Sequence, residues 1–420
     1  MKIKYVIGNT CKKAYDKMKD NSFVNMFKMR EQDFTRNRKA GFSDNMLMVF
    51  NKTGQGIRAA VKAFMQTAKE ADETYSQQAF SKGRMRIKWE AFKEIYKITV
   101  QDCYQEYKYK TYKGYRVFAI DGTRLNLPYH EDSIKEFGVQ KSTNEQIQAL
   151  ASCMCDVLNG IIIDGIIAPC NANERNLAIE HLNNLEKIKE PDLIIFDRGY
   201  PSAQLIDELE KNNVKYLMRC DKTFVKGMIK HLTGNDCVIT YTFKNNRITK
   251  TIRVVRFKLN DTTETLITNI YDEGFSASDF VDLYHLRWGI ETKYNDLKNK
   301  LEIENFSGTT PLAIRQDFYA TLFLSNLASL MILECEDEIA KRNNEKNNKY
   351  DYKANVNAVI AELRKNVILM LITDSNRKKR KLLKGIYNSI VNAVLPIRDN
   401  RSFERVRKHR SNKYHQNDKA

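Results

Sequence analysis

No apolar run in this chain approaches the roughly 18–20 residues that a helix needs to cross a bilayer. The opening stretch, MKIKYVIGNTCKKAYDKMKD, breaks into lysines after only a few apolar positions and does not read as a signal peptide. Eight cysteines are scattered at 11, 103, 153, 155, 170, 220, 237 and 335, with no CxxC pair and no Cys/His grouping at zinc spacing. Buried reduced thiols in a reducing cytoplasm are therefore expected. Cys153 and Cys155 stand two apart in a strand-like run, which turns them to one side together. No internal repeat is found.

What the chain does hold is apolar material and positive charge. Of 420 residues, 42% are hydrophobic and 29% charged, enough for a core and too much for full disorder, collagen-like or low-complexity classes. The length suits two to four domains. Lys and Arg number 70 against 52 Asp and Glu, a net charge of +18 with a pI near 9.3. A polyanionic partner explains that excess, nucleic acid before an anionic membrane surface.

Residues 1–112 read as helical. FSDNMLMVFNKT and QQAFSKGRMRIKWEAFKEIYK carry apolar residues at three- and four-residue spacing. Phe42, Leu47, Val49 and Phe50 are candidate core, and Arg84, Arg86 and Lys88 lie among Phe80, Trp89 and Phe92 as a basic face. From Tyr115 the character changes. YRVFAID, QIQALASCMCDVL and IIIDGIIA are strand-like, the last two joined at Asn159-Gly160, a strong hairpin signal. ERNLAIEHLNNLEKI then reads as a helix, DLIIFD as a buried strand, SAQLIDELEKNN as a helix capped by Ser202, and VKYLMRC as a strand. Hairpin strands followed by strand–helix–strand units imply an α/β fold, a mixed sheet flanked by helices.

Three further strand-like runs within 221–275, with turns at Asn245-Asn246 and Asn260-Asp261, read as a β-rich insertion. A long helix follows from about Ser276. Residues from about 312 to 395 are helical again, with LKNK, KRNNEKNNKYDYK and NRKKRKLLK as charged breaks, and a basic tail from Arg401 ends the chain. The expected organisation is a helical DNA-binding region over 1–112, a core over 113–330 interrupted at 221–275, and a helical C-terminal region with its tail over 331–420.

Asp121 and Asp197 each end an apolar strand, where open α/β sheets build their sites, although an aspartate there also serves as a turn or cap residue. The helix from Ser276 offers a third carboxylate. At about 100° per residue, Tyr284, Arg287, Glu291 and Lys298 share one narrow arc. Leu283, Leu286, Ile290, Tyr294, Leu297 and Leu301 form a separate apolar stripe suited to packing on the sheet.

The spacing Tyr284-x2-Arg287-x3-Glu291-x6-Lys298 resembles the Y-R-E-K signature of bacterial insertion-sequence transposases of the DDE class, the fourth-insertion-sequence family. Asp121-Gly122-Thr123 resembles the family's first-aspartate motif and Asp197-Arg198-Gly199-Tyr200 its second, 76 residues apart, with 94 more to Glu291. SQQAFSKGR, NANER at 171–175 and LPIRDNRSFERVRK are similar to further family segments. The resemblance implies an RNase H-like core in which Asp121, Asp197 and Glu291 hold two Mg²⁺, with Mn²⁺ as a substitute, for in-line attack at phosphorus. It implies DNA transposition, with double-stranded DNA as partner: terminal inverted repeats and target. Tyr284, Arg287 and Lys298 would contact DNA, with Arg198, Trp288 and Arg84 as further candidates. A homodimer synapsed on two ends is expected, with no membrane. The alternatives are another two-metal nuclease of the same fold and a non-catalytic DNA-binding descendant of a transposase.

Overall fold

A computed structural model describes residues 5–36, 38–51, 56–69, 75–140, 146–243, 247–259, 262–346 and 349–398. The two asparagine-containing turns expected within 221–275 and the basic tail lie outside these residues. The chain divides into two compact units: one of Met1–Tyr109, Asn126–Ile147 and Leu297–Ala420, the other of Lys110–Leu125 and Gln148–Asp296.

The second unit is built on a mixed sheet. Its strands are β1 (Arg116–Asn126), β2 (Gln146–Asp156), β3 (Ile161–Pro169), β4 (Asp192–Phe196), β5 (Lys215–Cys220), β6 (Asp236–Phe243), β7 (Ile248–Leu259) and β8 (Thr262–Thr268). They lie in the order β3–β2–β1–β4–β5–β8–β7–β6. β2 and β3 form the expected hairpin, Ala149 opposite Pro169 through to Asp156 opposite Ile161. Gly160 supplies the positive φ of 66° that the turn requires, and the Asp156 carboxylate accepts from the amides of Leu158 and Asn159. β1, β4 and β5 run parallel, as the two strand–helix–strand crossovers dictate. β4 is buried along its whole length, whereas the edge strand β6 buries only Ile239 and Phe243. This order, a hairpin beside β1 followed by parallel crossovers, is RNase H-like. The three strands of 221–275 continue the same sheet, because β8 pairs with β5 from Leu217–Thr268 to Cys220–Thr265.

One face of this sheet presents Val117, Leu193, Ile195, Leu217, Val255 and Leu266. The helix Ala277–His285 packs on it through Phe280, Leu283 and Tyr284. Ser276 and Asp279 cap its start reciprocally. The expected single long helix is in fact wound unevenly. Amides at 286, 287, 289 and 290 bond three residues back, a tightened turn that separates Ala277–His285 from the next helix, Trp288–Asn295. A π turn follows at Asp296–Lys300. The apolar stripe survives this: Leu283, Ile290, Tyr294, Leu297 and Leu301 are all buried.

The first unit is helical. Its longest helix, Pro311–Lys346, packs against Glu90–Glu106. Phe323 meets Phe50 at 4.8 Å, and Tyr319 stacks on Trp89 at 5.3 Å. Phe42, Leu47, Val49 and Phe50 are buried as expected. Two corrections arise here. The long helix is apolar and long enough by composition to cross a membrane, contrary to the sequence reading, but 83% of its most apolar window is buried in the protein, as befits a core helix. The charged segment 341–353 does hold a break, since the helix Pro311–Lys346 ends within it and the next helix starts at Val356, whereas 376–384 is no break and lies within Asn376–Asn392.

Candidate active site

The parallel register between β1 and β4 sets the site. Arg116 stands opposite Asp192 and Ala119 opposite Ile195, an offset of 76 residues. The same offset separates Asp121 from Asp197. The two aspartates therefore leave adjacent strands, about 4.8 Å apart, at the same level. The strand does not end at Asp121, as the sequence reading had it. β1 runs on to Asn126, but its pairing with β4 stops at Ala119, so Asp121 stands where the sheet opens. The Asp197 carboxylate accepts from the Gly199 amide, 2.8 Å, which closes the turn after β4.

The Trp288–Asn295 helix is pinned to this point. The Tyr294 hydroxyl donates to the Asp121 carbonyl at 2.6 Å and to the Ala151 carbonyl at 3.3 Å. Gly289 allows close approach to Val157, whose Cβ would stand 3.1 Å from a Cβ at 289. Glu291 lies one turn before Tyr294. Its carboxylate accepts from Arg287 at 2.7 Å, and the Arg287 guanidinium lies 5.9 Å from the Tyr284 ring and 5.4 Å from the Trp288 ring. Tyr284 and Arg287 are buried, whereas Trp288 is half exposed. Arg219 of β5 pairs with Glu264 of β8 at 2.5 Å, and its charge reaches Tyr284, whose hydroxyl burial pushes up against the pull of Arg287 and Arg219.

Asp121 is a carboxylate of this centre whose titration is displaced. Burial, with the charges of Asp197 and Glu174, pushes the Asp121 carboxyl up to about 6, against the Gly122 amide and Arg287. Glu174 was matched in the sequence without a role. It opens the helix Glu174–Asn184, and its carboxylate stands where a Cβ on Gly122 would come within 3.0 Å of it. Arg175 beside it donates to the Gly199 carbonyl at 3.0 Å, tying this helix to the Asp197 turn. Farther along, a buried chain from Ser152 through His181 to Asp164, 2.9 and 2.8 Å, anchors the helix to β2 and β3. Its members are 0–4% exposed, so this hydroxyl–imidazole–carboxylate line is structural and closed to substrate. Nothing in the local sequence marks it, because its members lie 12, 17 and 29 residues apart.

Asp121, Asp197, Tyr284, Arg287, Trp288 and Glu291 are thus assembled on one unit. Arg198 is exposed beside Asp197 and helps hold the Glu264 carboxyl below its usual range, behind Arg219. Lys298 follows in the π turn, in the part of the chain that belongs to the first unit. Arg84 is corrected. Expected on a basic DNA-facing side, it is 2% exposed, donates to Gln316, Ser307 and the Ala313 carbonyl, and pairs with Asp317 at 3.3 Å. Its helix ends at Arg84, so Arg86 and Lys88 do not continue one helical face. Among the described residues no three His, Cys, Asp or Glu side chains stand close enough to grip a metal ion as they are. The donors nevertheless suit a hard divalent cation in kind, being carboxylate oxygens alone.

An acidic centre at the open ends of adjacent parallel strands, in an RNase H-like sheet with a carboxylate-bearing helix packed on it, sets the class of protein. The chain belongs to the transposase DDE domain family, which matches residues 112–327. Over 157 residues it is 27% identical to a protein named as the transposase of insertion sequence element IS4SA in Synechocystis sp., covering 36% of this chain and 45% of that one. Over 175 residues it is 24% identical to one named as the transposase of element IS5377 in Geobacillus stearothermophilus, covering 39% and 44%. The chain thus spans under half the length of the curated relatives it matches. A piggyBac transposase synaptic complex with hairpin DNA gives a TM-score of 0.44 at 12% identity, over 96% of this chain and 86% of that one, a likeness too loose to argue from.

Proposed function

We propose that this protein is a DNA transposase that cleaves the ends of an insertion sequence and joins them to target DNA. The observation that carries this reading is the register that sets Asp121 and Asp197 side by side, with Glu291 on a helix fixed to the Asp121 carbonyl through Tyr294. In this reading Asp121, Asp197 and Glu291 hold two Mg²⁺ ions, or Mn²⁺ in their place. Bound there, the cations supply charge to activate a water or 3′-hydroxyl and to stabilise the leaving oxygen. Arg287 keeps Glu291 in place until it is needed and then meets a DNA phosphate. Tyr284 and Lys298 contact the backbone, Arg198 approaches the strand beside Asp197, and the exposed Trp288 stacks on a displaced base.

End recognition belongs, on this view, to residues 1–112. There a cleft of about 1150 Å³ is lined by Arg30, Arg36, Arg38, Lys82 and Arg86. The C-terminal helices serve subunit pairing in a homodimer synapsed on two ends, or further DNA contact. Helix Asn376–Asn392 opens on Arg377, Lys378, Lys379, Arg380 and Lys381, against its own dipole, an arrangement that a polyanion relieves. The protein acts in the cytoplasm, on the nucleoid.

The test is incubation with DNA carrying the element's own inverted repeats, with and without Mg²⁺. Cleavage at the ends only with the cation supports the reading. Unspecific cutting favours a plain nuclease, and binding without cutting favours a non-catalytic descendant. Affinity should fall steeply with salt, with a log–log slope of about −0.9 per neutralised phosphate. A flat profile would sink the nucleic-acid reading. A truncation starting near residue 113 should keep weak DNA affinity and lose preference for the ends in a footprint.

A further inference from the structure

We propose that Glu174 is a fourth carboxylate of this centre and binds a divalent cation together with Asp121 and Asp197. The inference rests on the metal-dependent reading above. Its first support is placement. Glu174 is the first residue of a helix whose start is fixed by the Asn173 side chain, which accepts from the amides of Arg175 and Asn176 at 2.9 and 3.4 Å. The helix is held to the turn after β4 by Arg175 and to β2 and β3 by His181. Glu174 is therefore positioned by secondary structure and not by a loose loop. Its carboxylate comes over Gly122, the residue after Asp121. There a methyl group would stand 3.0 Å from Glu174 Oε1 and 3.1 Å from Leu150, so the bare backbone at 122 is what admits it.

The second support is a buried hydroxyl beside the acids. Tyr200 is 1% exposed, and its hydroxyl has no hydrogen-bond partner among the described residues. An unanswered buried hydroxyl is destabilising. It lies within the field of three carboxylates, Glu174 acting on it most strongly and then Asp121 and Asp197. A phenol so placed can orient Glu174, as groups behind metal ligands do. The charges of Asp197 and Glu174 both act on Asp121, and positive charge between like charges relieves them. The nearby Arg287 is already committed to Glu291. A divalent cation supplies that charge.

The test is Mn²⁺ binding to the full chain without DNA, followed by calorimetry and by the paramagnetic signal of free Mn²⁺, for the wild type, Glu174→Gln, Glu174→Asp, Asp121→Asn and Asp197→Asn. Glu174→Gln should weaken Mn²⁺ at least about tenfold, with partial recovery in Glu174→Asp. If Glu174→Gln binds Mn²⁺ like the wild type while the aspartate variants do not, Glu174 is no ligand and the triad stands. If the aspartate variants also bind normally, the metal-site reading itself fails. Should Glu174→Gln not fold, Fe²⁺-generated radical cleavage of the wild-type backbone decides: cuts beside residue 174 as well as beside 121 and 197 support the proposal, and cuts at the aspartates alone overturn it.

Discussion

In the helical unit, Arg84 is buried and its neighbours answer it: Gln316, Ser307, the Ala313 carbonyl and the Asp317 carboxylate. Asp317 in turn accepts from Ser307 through both amide and hydroxyl. In the sheet unit, Asp121 is pressed up to about 6 by burial and, less, by two further carboxylates, against the Gly122 amide and Arg287. Both are acidic or basic groups taken out of water, which is costly unless they are paired. Completed pairing marks a structural network. Incomplete pairing at an open sheet end marks a place where something else brings the missing charge. The contrast is sharper than burial alone shows, because it separates two arginines that look alike in the sequence, Arg84 and Arg287.

The largest expected effect tests the incomplete side. Asp121→Asn, Asp197→Asn and Glu291→Gln should each reduce strand cleavage about a thousandfold or more, since the bound cations supply several kcal/mol to the transition state and each 1.36 kcal/mol is tenfold. Thermal melts without metal should show the fold intact. A variant that cleaves at near the wild-type rate in Mg²⁺ removes its residue from the site.

Next comes the completed side. Arg84→Ala leaves Asp317 buried without its cation and should destabilise the protein by about 3–5 kcal/mol in urea unfolding. The DNA affinity of the folded fraction should be unchanged. Weaker DNA binding at full stability would restore Arg84 to the DNA-facing side where its sequence neighbourhood first suggested it lay.

Trp288 separates exposure from packing. Being half exposed, its loss in Trp288→Ala should change stability by no more than about 0.5 kcal/mol. A stacked base contributes about 1–3 kcal/mol, so affinity for a nicked or unpaired end should drop roughly 5- to 150-fold, with intact duplex less affected. Equal loss on both substrates would assign Trp288 to backbone contact.

What was legible in the sequence follows the same division. The strand and helix order of the sheet unit could be read because each element carries its own periodicity and punctuation: Asn159-Gly160 for the hairpin, Ser202 for a helix start, whose hydroxyl does accept from the Leu205 amide. The aspartate pair could be read because one offset serves both the motif spacing and the strand register. Arg84 could not, because its partners lie more than 220 residues away and local spacing says nothing of them. The helical wheel over 276–301 found the buried stripe, but no wheel at fixed 100° steps registers a tightened turn at 286–290 or a π turn at 296–300. Glu174 stayed without a role because its neighbours come from β1 and from the turn after β4.

The smallest effect lies at Glu334, where pairing is present but incomplete in value. Its carboxylate accepts from the Val6 amide at 2.7 Å and the Ile7 amide at 3.4 Å. These open the helix Val6–Lys19, whose first amides lack partners of their own and whose dipole favours an anion. Burial outweighs both bonds and pushes the carboxyl up to about 7, from 4.5 in the unfolded chain. Between those values the native state keeps a proton that the unfolded state has released. Stability owed to this group therefore declines as pH rises from about 4.5 to about 7, and is level on either side. Glu334→Gln abolishes the titration while its side-chain oxygen still accepts from Val6. Between pH 5 and 7 the wild type should lose about 1–2 kcal/mol relative to Glu334→Gln, a value reduced from the full shift because the carboxylate is partly exposed. Urea midpoints at each pH measure it. Parallel curves would mean that the two amides hold Glu334 charged throughout, and the helical unit would then complete its pairing here as fully as at Arg84.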